Sequence, residues 1–392
     1  MRPGPRLLLL DTDPGLDDAL ALAALCASPE VDLKAAIAVG GNVPAARTVR
    51  NLRGLLRLFG RADVPVARGL EAPCAIHAAD VHGADGLAGL AARLDAGRSP
   101  PLRIRGGRGS AVAGLRSTRN AQSPIRNLLN LKPCFPWRRL VRETLRALPD
   151  RSVDLLALGP LTDLAALARS EHRLLSRKLR AAVLMAGSIL EAGNVAPMVE
   201  FNVACDPSAA ARVLASGWPI RLVPLDATQC VTFGPELAER LAARGTLVGR
   251  LLARFIAHLR AFREPAAQRV PFSPPSYKGG SGECRGRFPF NPQSAQPRTP
   301  NPKPQTDPFR AFIHDAVAAC ALVRPEFFAW ERLPLKVVTR GAARGVVLSD
   351  RRLRPLAAPA DWPEVEVALR ADAVRVYEWI SRRLERVADG YE

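Results

Sequence analysis

The chain has 392 residues, is 48% hydrophobic, 24% charged and 5% aromatic, and carries a formal net charge of +19. That is a globular balance, long enough for one large α/β domain or two smaller ones, with a core that needs no disulfide framework. The seven cysteines are odd in number, scattered and never spaced CxxC, which excludes a disulfide framework or zinc cluster as the organising feature and favours a reducing compartment.

The longest apolar run, residues 19–27, is half of what spans a bilayer, and the run at 7–10 is too short for a signal-peptide core. A soluble, cytoplasmic protein with no membrane partner is expected. The positive charge is unevenly placed. Residues 96–142 hold eleven Lys or Arg and no acid, and residues 265–306 hold six against the single acid Glu283. Both stretches lack sustained periodicity, and the second contains ten of the 35 prolines. They are expected to be disordered insertions, at 97–135 and 268–308, within one domain that covers 1–392. Arginine that binds nucleic acid usually alternates with aromatics that stack bases. Almost none occur here, so a nucleic-acid partner is not expected.

Between the insertions the pattern is strand–loop–helix. Residues 6–10 form a continuous apolar run of the kind a parallel sheet buries on both faces, followed by the helix-forming DDALALAALCA. A second run at 33–39 ends in a GGN turn and leads into an Arg- and Leu-rich helix over about 44–59. Apolar runs at 153–158, 181–185 and 220–224 repeat the theme, and 235–263 is helical by pattern with a break near Gly245. The alternation predicts an α/β, Rossmann-like fold with a mainly parallel central sheet and helices on both faces. Sites in such sheets form at the carboxyl ends of the strands.

The strongest chemical signal is DTDPGLDDALAL, residues 11–22, which places Asp11, Asp13, Asp17 and Asp18 at one strand–helix junction. Capping explains one or two acids there, but four within eight positions repel one another unless a cation or bound protons compensate. Carboxylate oxygens suit a hard cation such as Ca²⁺ or Mg²⁺. An EF-hand is excluded by spacing and by the missing distal Glu. A haloacid-dehalogenase-type phosphatase also starts strand–DxD but wants Thr or Val where Gly15 stands.

These residues resemble the inosine–uridine-preferring nucleoside hydrolases, whose signature is a strand followed by DxDPGxDDAxAL. Further landmarks follow in order: AVGGN at 38–42, VHGADGL at 81–87, LALGPLTDLA at 156–165, MAGSILEAGN at 185–194, VEFNVACDP at 199–207 and FIHDAVAACAL at 312–322. The segment TRGAARGVVLSD, 339–350, is similar to the family's closing stretch. The resemblance implies one Ca²⁺ held by Asp13, Asp18, the Thr162 carbonyl and Asp315. It implies Asp13 as general base on a metal-bound water, and C–N cleavage through an oxocarbenium-like state. Ribose would be gripped by Asp17, Asn42, Asn194, Glu200 and Asn202. His82 would lie in the base pocket, and His314 would be either the leaving-group acid or a packing residue. A His immediately before the last calcium Asp implies a pyrimidine-accepting or nonspecific enzyme, and relatives imply a homodimer or homotetramer. Asp11 would orient the metal ligands. An extended 200–202 segment would put Glu200 and Asn202 on one face. Asp163 departs from the family, which commonly has Asn after the PLT Thr. The competing expectation is a silent relative that keeps the fold and binds ribosides without cleaving them.

Overall fold

The computed structural model describes residues 4–74, 78–95, 136–267, 311–352 and 361–390; the insertions expected at 97–135 and 268–308 lie outside them. In chain order the strands are β1 (Arg6–Thr12), β2 (Val31–Gly40), β3 (Val66–Glu71), β4 (Val153–Ala157), β5 (Leu179–Met185), β6 (Ile220–Val223), β7 (Phe328–Val337), β8 (Val347–Ser349) and β9 (Glu364–Ala371). The helices are α1 (Leu16–Cys26), α2 (Ala45–Leu58), α3 (Ala79–His82), α4 (Ala91–Asp95), α5 (Trp137–Arg146), α6 (Thr162–Ser170) and α7 (His172–Lys178). They continue as α8 (Phe201–Cys205), α9 (Pro207–Leu214), α10 (Leu225–Thr228), α11 (Pro235–Ala243), α12 (Leu247–Ala267), α13 (His314–Val323) and α14 (Ala373–Ala388).

The strands form one sheet in the order β3-β2-β1-β4-β5-β6-β9-β7-β8. It is parallel from β3 through β9, and β7 runs antiparallel to both β9 and β8. The expected α/β class is therefore what is found. β1 sits between β2 and β4, with its carboxyl end in register with both: Asp11 faces Ile37 on one side and Ala157 on the other. Successive connections diverge from β1, so the crevice outside its carboxyl end is the topological switch point of the sheet.

Two cores cover the two faces. One joins the sheet to α1, α2, α11, α12, α13 and α14, and the other to α5, α6 and α9. α1 is hydrophobic nearly all round, with Leu16 and Ala19 to Leu25 buried, because it lies between the sheet and α13. α13 is as apolar, buried from Asp315 to Val323. The side-by-side packing of these two helices carries their acidic first turns to the same place. The expected break near Gly245 falls between α11 and α12, where that glycine adopts a φ of +69°.

The cysteine expectation needs a correction. Cys74, after β3, and Cys205, at the end of α8, are joined in a disulfide across 131 positions. One bond is no framework, but it removes the cysteine support for a reducing compartment.

Candidate active site

The carboxyl ends of β1, β2, β4 and β5 and the first turns of α1, α8 and α13 converge on a buried group of acids. Asp17, Asp18 and Asp315 each offer an oxygen, and these oxygens lie within 4.8 Å of one another. Asp13 adjoins them: its charge acts on Asp315, and those of Asp17 and Asp18 act on it. Burial, before any like charge, pushes the Asp13 and Asp315 carboxyls well above the ordinary carboxylate range. The same cause lifts Asp18, and it lifts Asp17 to about 6. Such a cluster is stable only with bound protons or a cation, and its all-oxygen donor set fits a hard divalent ion.

Local hydrogen bonds hold the acids in place. Asp18 accepts from the Thr12 hydroxyl through Oδ1 and from the Gly15 amide, at 3.0 Å, through Oδ2. Asn42 donates its backbone N–H to Asp13 Oδ2 at 2.7 Å, and its side-chain amide to the Asp13 carbonyl at 3.1 Å and to Asp18 Oδ2 at 3.3 Å. The GGN turn is thus the brace that aims Asp13. The turn must be glycine because a Cβ on Gly41 would collide with the Asp13 carboxylate and the Pro160 ring. Gly159 closes the other side, where a Cβ would stand 2.6 Å from Asp13 Oδ1.

The expected ribose residues are nearby, in a different local structure from the extended one. Residues 201–205 are the short helix α8, and Glu200 is its N-cap. The Glu200 carboxylate accepts from the amides of Asn202 at 2.8 Å, Val203 at 3.2 Å and Gly187 at 2.8 Å. Asn194 caps the same helix by accepting the Phe201 amide at 2.9 Å. A carboxylate, a side-chain carbonyl and three otherwise unmet amides make a helix start a better solution than a strand. Asn202 turns inward, donating to the carbonyls of Leu158 at 2.7 Å and Met185 at 2.9 Å, and so ties α8 to the ends of β4 and β5.

His82 is buried, and its Nδ1 accepts the Leu16 amide at 3.1 Å, which leaves the proton on Nε2, 4.0 Å from Asp17. Desolvation holds its pKa down at about 4, so the ring is neutral at pH 7. His314, at the start of α13, pairs its Nδ1 with the Thr228 hydroxyl at 2.7 Å, and its ring lies 5.5 Å from that of Phe312. Thr162 opens α6, and its hydroxyl donates to Asp206 at 2.9 Å.

Three supports of the site carry no signal in the sequence. Thr228 orients His314. Asp226 is buried and accepts from the amides of Ile189 and Leu190, fixing the loop after β5. Asn51 ties the Pro14 and Asp85 carbonyls, at 3.3 and 2.9 Å, holding the first motif to the segment after α3. Only the isolated DAT and RNL contexts carry these residues, with no spacing signal to single them out. Asp163, the departure after Thr162, is fully buried. Its Oδ1 accepts the Leu70 amide at 2.9 Å, while its Oδ2 and both oxygens of Asp11 have no partner among the described residues. Burial raises Asp163 to about 7, and its charge adds to the rise at Asp11.

The switch point of a doubly wound sheet is where small molecules bind, and the buried acids gathered there could hold a cation. Residues 8–378 match the family model described as inosine-uridine preferring nucleoside hydrolase, and the chain belongs to that family of nucleoside-hydrolysing enzymes. It is 31% identical over 378 residues to the non-specific ribonucleoside hydrolase RihC of Salmonella agona, covering 95% of this chain and 96% of that one. The Escherichia coli RihC is 30% identical over 381 residues, covering 96% and 97%. Among solved structures, a plant nucleoside hydrolase, the PpNRh1 enzyme, superposes with a TM-score of 0.71 at 24% identity, covering 97% of this chain and 99% of that one. A purine-preferring ribonucleoside hydrolase from Gardnerella vaginalis gives 0.69 at 21% identity, over 98% and 99%. At these identities the structural likeness speaks for the fold. Among the described residues no helix is long and apolar enough to cross a membrane.

Proposed function

We propose that this enzyme cleaves the N-glycosidic bond of ribonucleosides to ribose and free base in a calcium-dependent reaction, and that it accepts pyrimidine as well as purine nucleosides. One observation carries the proposal: the buried oxygen cluster of Asp17, Asp18 and Asp315 beside Asp13, which costs too much as bare carboxylates and fits a hard cation. Asp13, Asp18, Asp315 and the Thr162 carbonyl would hold the calcium, with Asp17 in the same cluster. When bound, the ion would supply Lewis-acid chemistry, making a water easier to deprotonate.

The chain's own residues divide the remaining work. Asp13, aimed by the Asn42 amide, takes the proton of the attacking water. Asp17, Asn42, Asn194, Glu200 and Asn202 orient the ribose. The backbone bonds of Glu200 and Asn202 fix them in advance, so binding need not order them. Negative charge there also favours the oxocarbenium-like state. His82 faces the base as a neutral ring, and His314, held by Thr228, hands a proton to the departing base. The likeness to the RihC hydrolases, non-specific by name, supports the broad base range. The whole chain acts as one nucleoside hydrolase domain, in a homodimer or homotetramer.

Asp13→Ala tests the mechanism. Release of free base from uridine and inosine should fall by about 10³-fold or more, and calcium uptake by the metal-free protein should weaken with it. Substantial residual turnover would remove Asp13 from the role.

A further inference from the structure

Outside the catalytic crevice, a cleft of about 470 Å³ opens on the face covered by α5, α6 and α9. Each helix supplies one arginine to its rim: Arg138, Arg169 and Arg212. All three are exposed, and none forms an ion pair or hydrogen bond with a described residue. Their neighbours behave otherwise: Arg139 pairs with Glu143, Arg142 with Glu171 and Arg180 with Asp154. Arg138 lies 5.1 Å from the centre of the Trp137 ring, which supports its guanidinium from one side.

One carboxylate lines the cleft, that of Asp206, and both of its oxygens are engaged: Oδ1 by the Ala209 amide and Oδ2 by the Thr162 hydroxyl, each at 2.9 Å. Those neutral donors hold the carboxylate without cancelling its charge, and the Arg138 charge also reaches the buried Asp163, but three arginines against one lining aspartate leave an excess of positive charge. Ser208 and Ser170 add hydroxyls to the same walls. None of the acids of the catalytic cluster lines this cleft; the two regions share only Thr162.

Three planar forks from three helices, lining one small cleft, suit an anion with several oxygens. We propose that this cleft is a second, non-catalytic site that binds the phosphate group of a small phosphorylated molecule, with Arg169 and Arg212 gripping its oxygens. The volume lies within the range of ordinary small-molecule sites. The free ion and a sugar phosphate share this chemistry.

Calorimetric titration of inorganic phosphate and of ribose 5-phosphate into the full-length, metal-free protein tests the assignment without reference to nucleoside cleavage. Saturable one-to-one binding is expected at low salt, weakened about tenfold or more in Arg169→Ala and in Arg212→Ala. Arg173→Ala, an exposed arginine of α7 outside the cleft, should bind as wild type does. Tighter binding of ribose 5-phosphate than of phosphate, lost in the same variants, would identify a sugar phosphate as the ligand; equal binding would identify the ion. A ribose phosphate held in the catalytic crevice would bind the Arg169 and Arg212 variants undiminished, and that result overturns the proposal, as does the absence of saturable binding of either probe to the wild type. Arg169→Gln, which keeps a polar side chain on α6, gives the same reading if the alanine variant is poorly folded. Far-UV circular dichroism and unchanged nucleoside hydrolysis confirm that a variant is intact.

Discussion

Replacing Asp163 with Asn removes one of two buried carboxyls that act on each other beside the catalytic crevice. The native side chain is fully buried, spends Oδ1 on the Leu70 amide, and has no partner for Oδ2 among the described residues. Burial raises its pKa from 3.8 to about 7. The folded protein therefore keeps this proton up to about pH 7, whereas the unfolded chain releases it near pH 4. Stability from this group is complete below the unfolded value and is lost as pH rises through the folded one. The unfolded chain's earlier release of the proton costs the fold about 4 kcal/mol by pH 8, of which about 2 kcal/mol is already lost at pH 5. Asparagine keeps the carbonyl that accepts from Leu70 and carries no charge. Urea unfolding of metal-free wild type and Asp163→Asn should then show the variant more stable at pH 8 by up to about 4 kcal/mol, with the gap about halved at pH 5. An equal gap at both pH values, or a less stable variant at pH 8, would refute the assignment of a costly buried carboxyl.

Other outcomes follow from the same geometry. His314→Ala should slow uridine and inosine cleavage by about 10²-fold or more while sparing ribosides with activated aryl leaving groups; equal losses on both would show that the ring only packs. Asn202→Ala leaves the Leu158 and Met185 carbonyls without their donor and should cost about 1–3 kcal/mol for each unmet group in urea unfolding, a loss that an unchanged midpoint would deny. Reducing Cys74–Cys205 reopens a loop of 131 positions, for which chain entropy gives about 4–5 kcal/mol; thermal unfolding with and without dithiothreitol should differ accordingly, and Cys74→Ser should abolish the difference. A bound calcium would displace protons from Asp13, Asp17, Asp18 and Asp315, all raised by burial and Asp17 to about 6, so its affinity should fall as pH drops and its binding should release protons into weak buffer.

Much of this site is legible in the chain because its chemistry is local. Asp13, Asp17 and Asp18 fall in one strand–helix junction, and Asn42 lies in the turn just after the next strand, so alternation of strands and helices alone puts them at one end of a parallel sheet. Asp315 is 297 positions from Asp18, yet the apolar character of both α1 and α13 hints that the two helices bury each other. What stays hidden is decided by backbone hydrogen bonds. Nothing in VEFNVAC says that Glu200 caps a one-turn helix rather than facing Asn202 across a strand; the three amides that settle it belong partly to Gly187, on another loop. The Thr228–His314 pair and the Cys74–Cys205 bond likewise join residues 86 and 131 positions apart, with no periodicity to betray them. The antiparallel β7–β8 edge escapes for a similar reason, since it joins the sheet through β9, which comes later in the chain yet lies between β6 and β7.

In the proposed reaction a cation held by the buried acids drives cleavage of ribonucleosides. Ribose release from uridine and inosine, measured as reducing sugar with added Ca²⁺, then after chelation, then after Ca²⁺ is restored, tests it most directly. Release that stops with chelator and returns with calcium is the expected result. Release that continues unchanged in chelator, or no release from a folded, calcium-loaded protein, would rule out a cation-driven hydrolase.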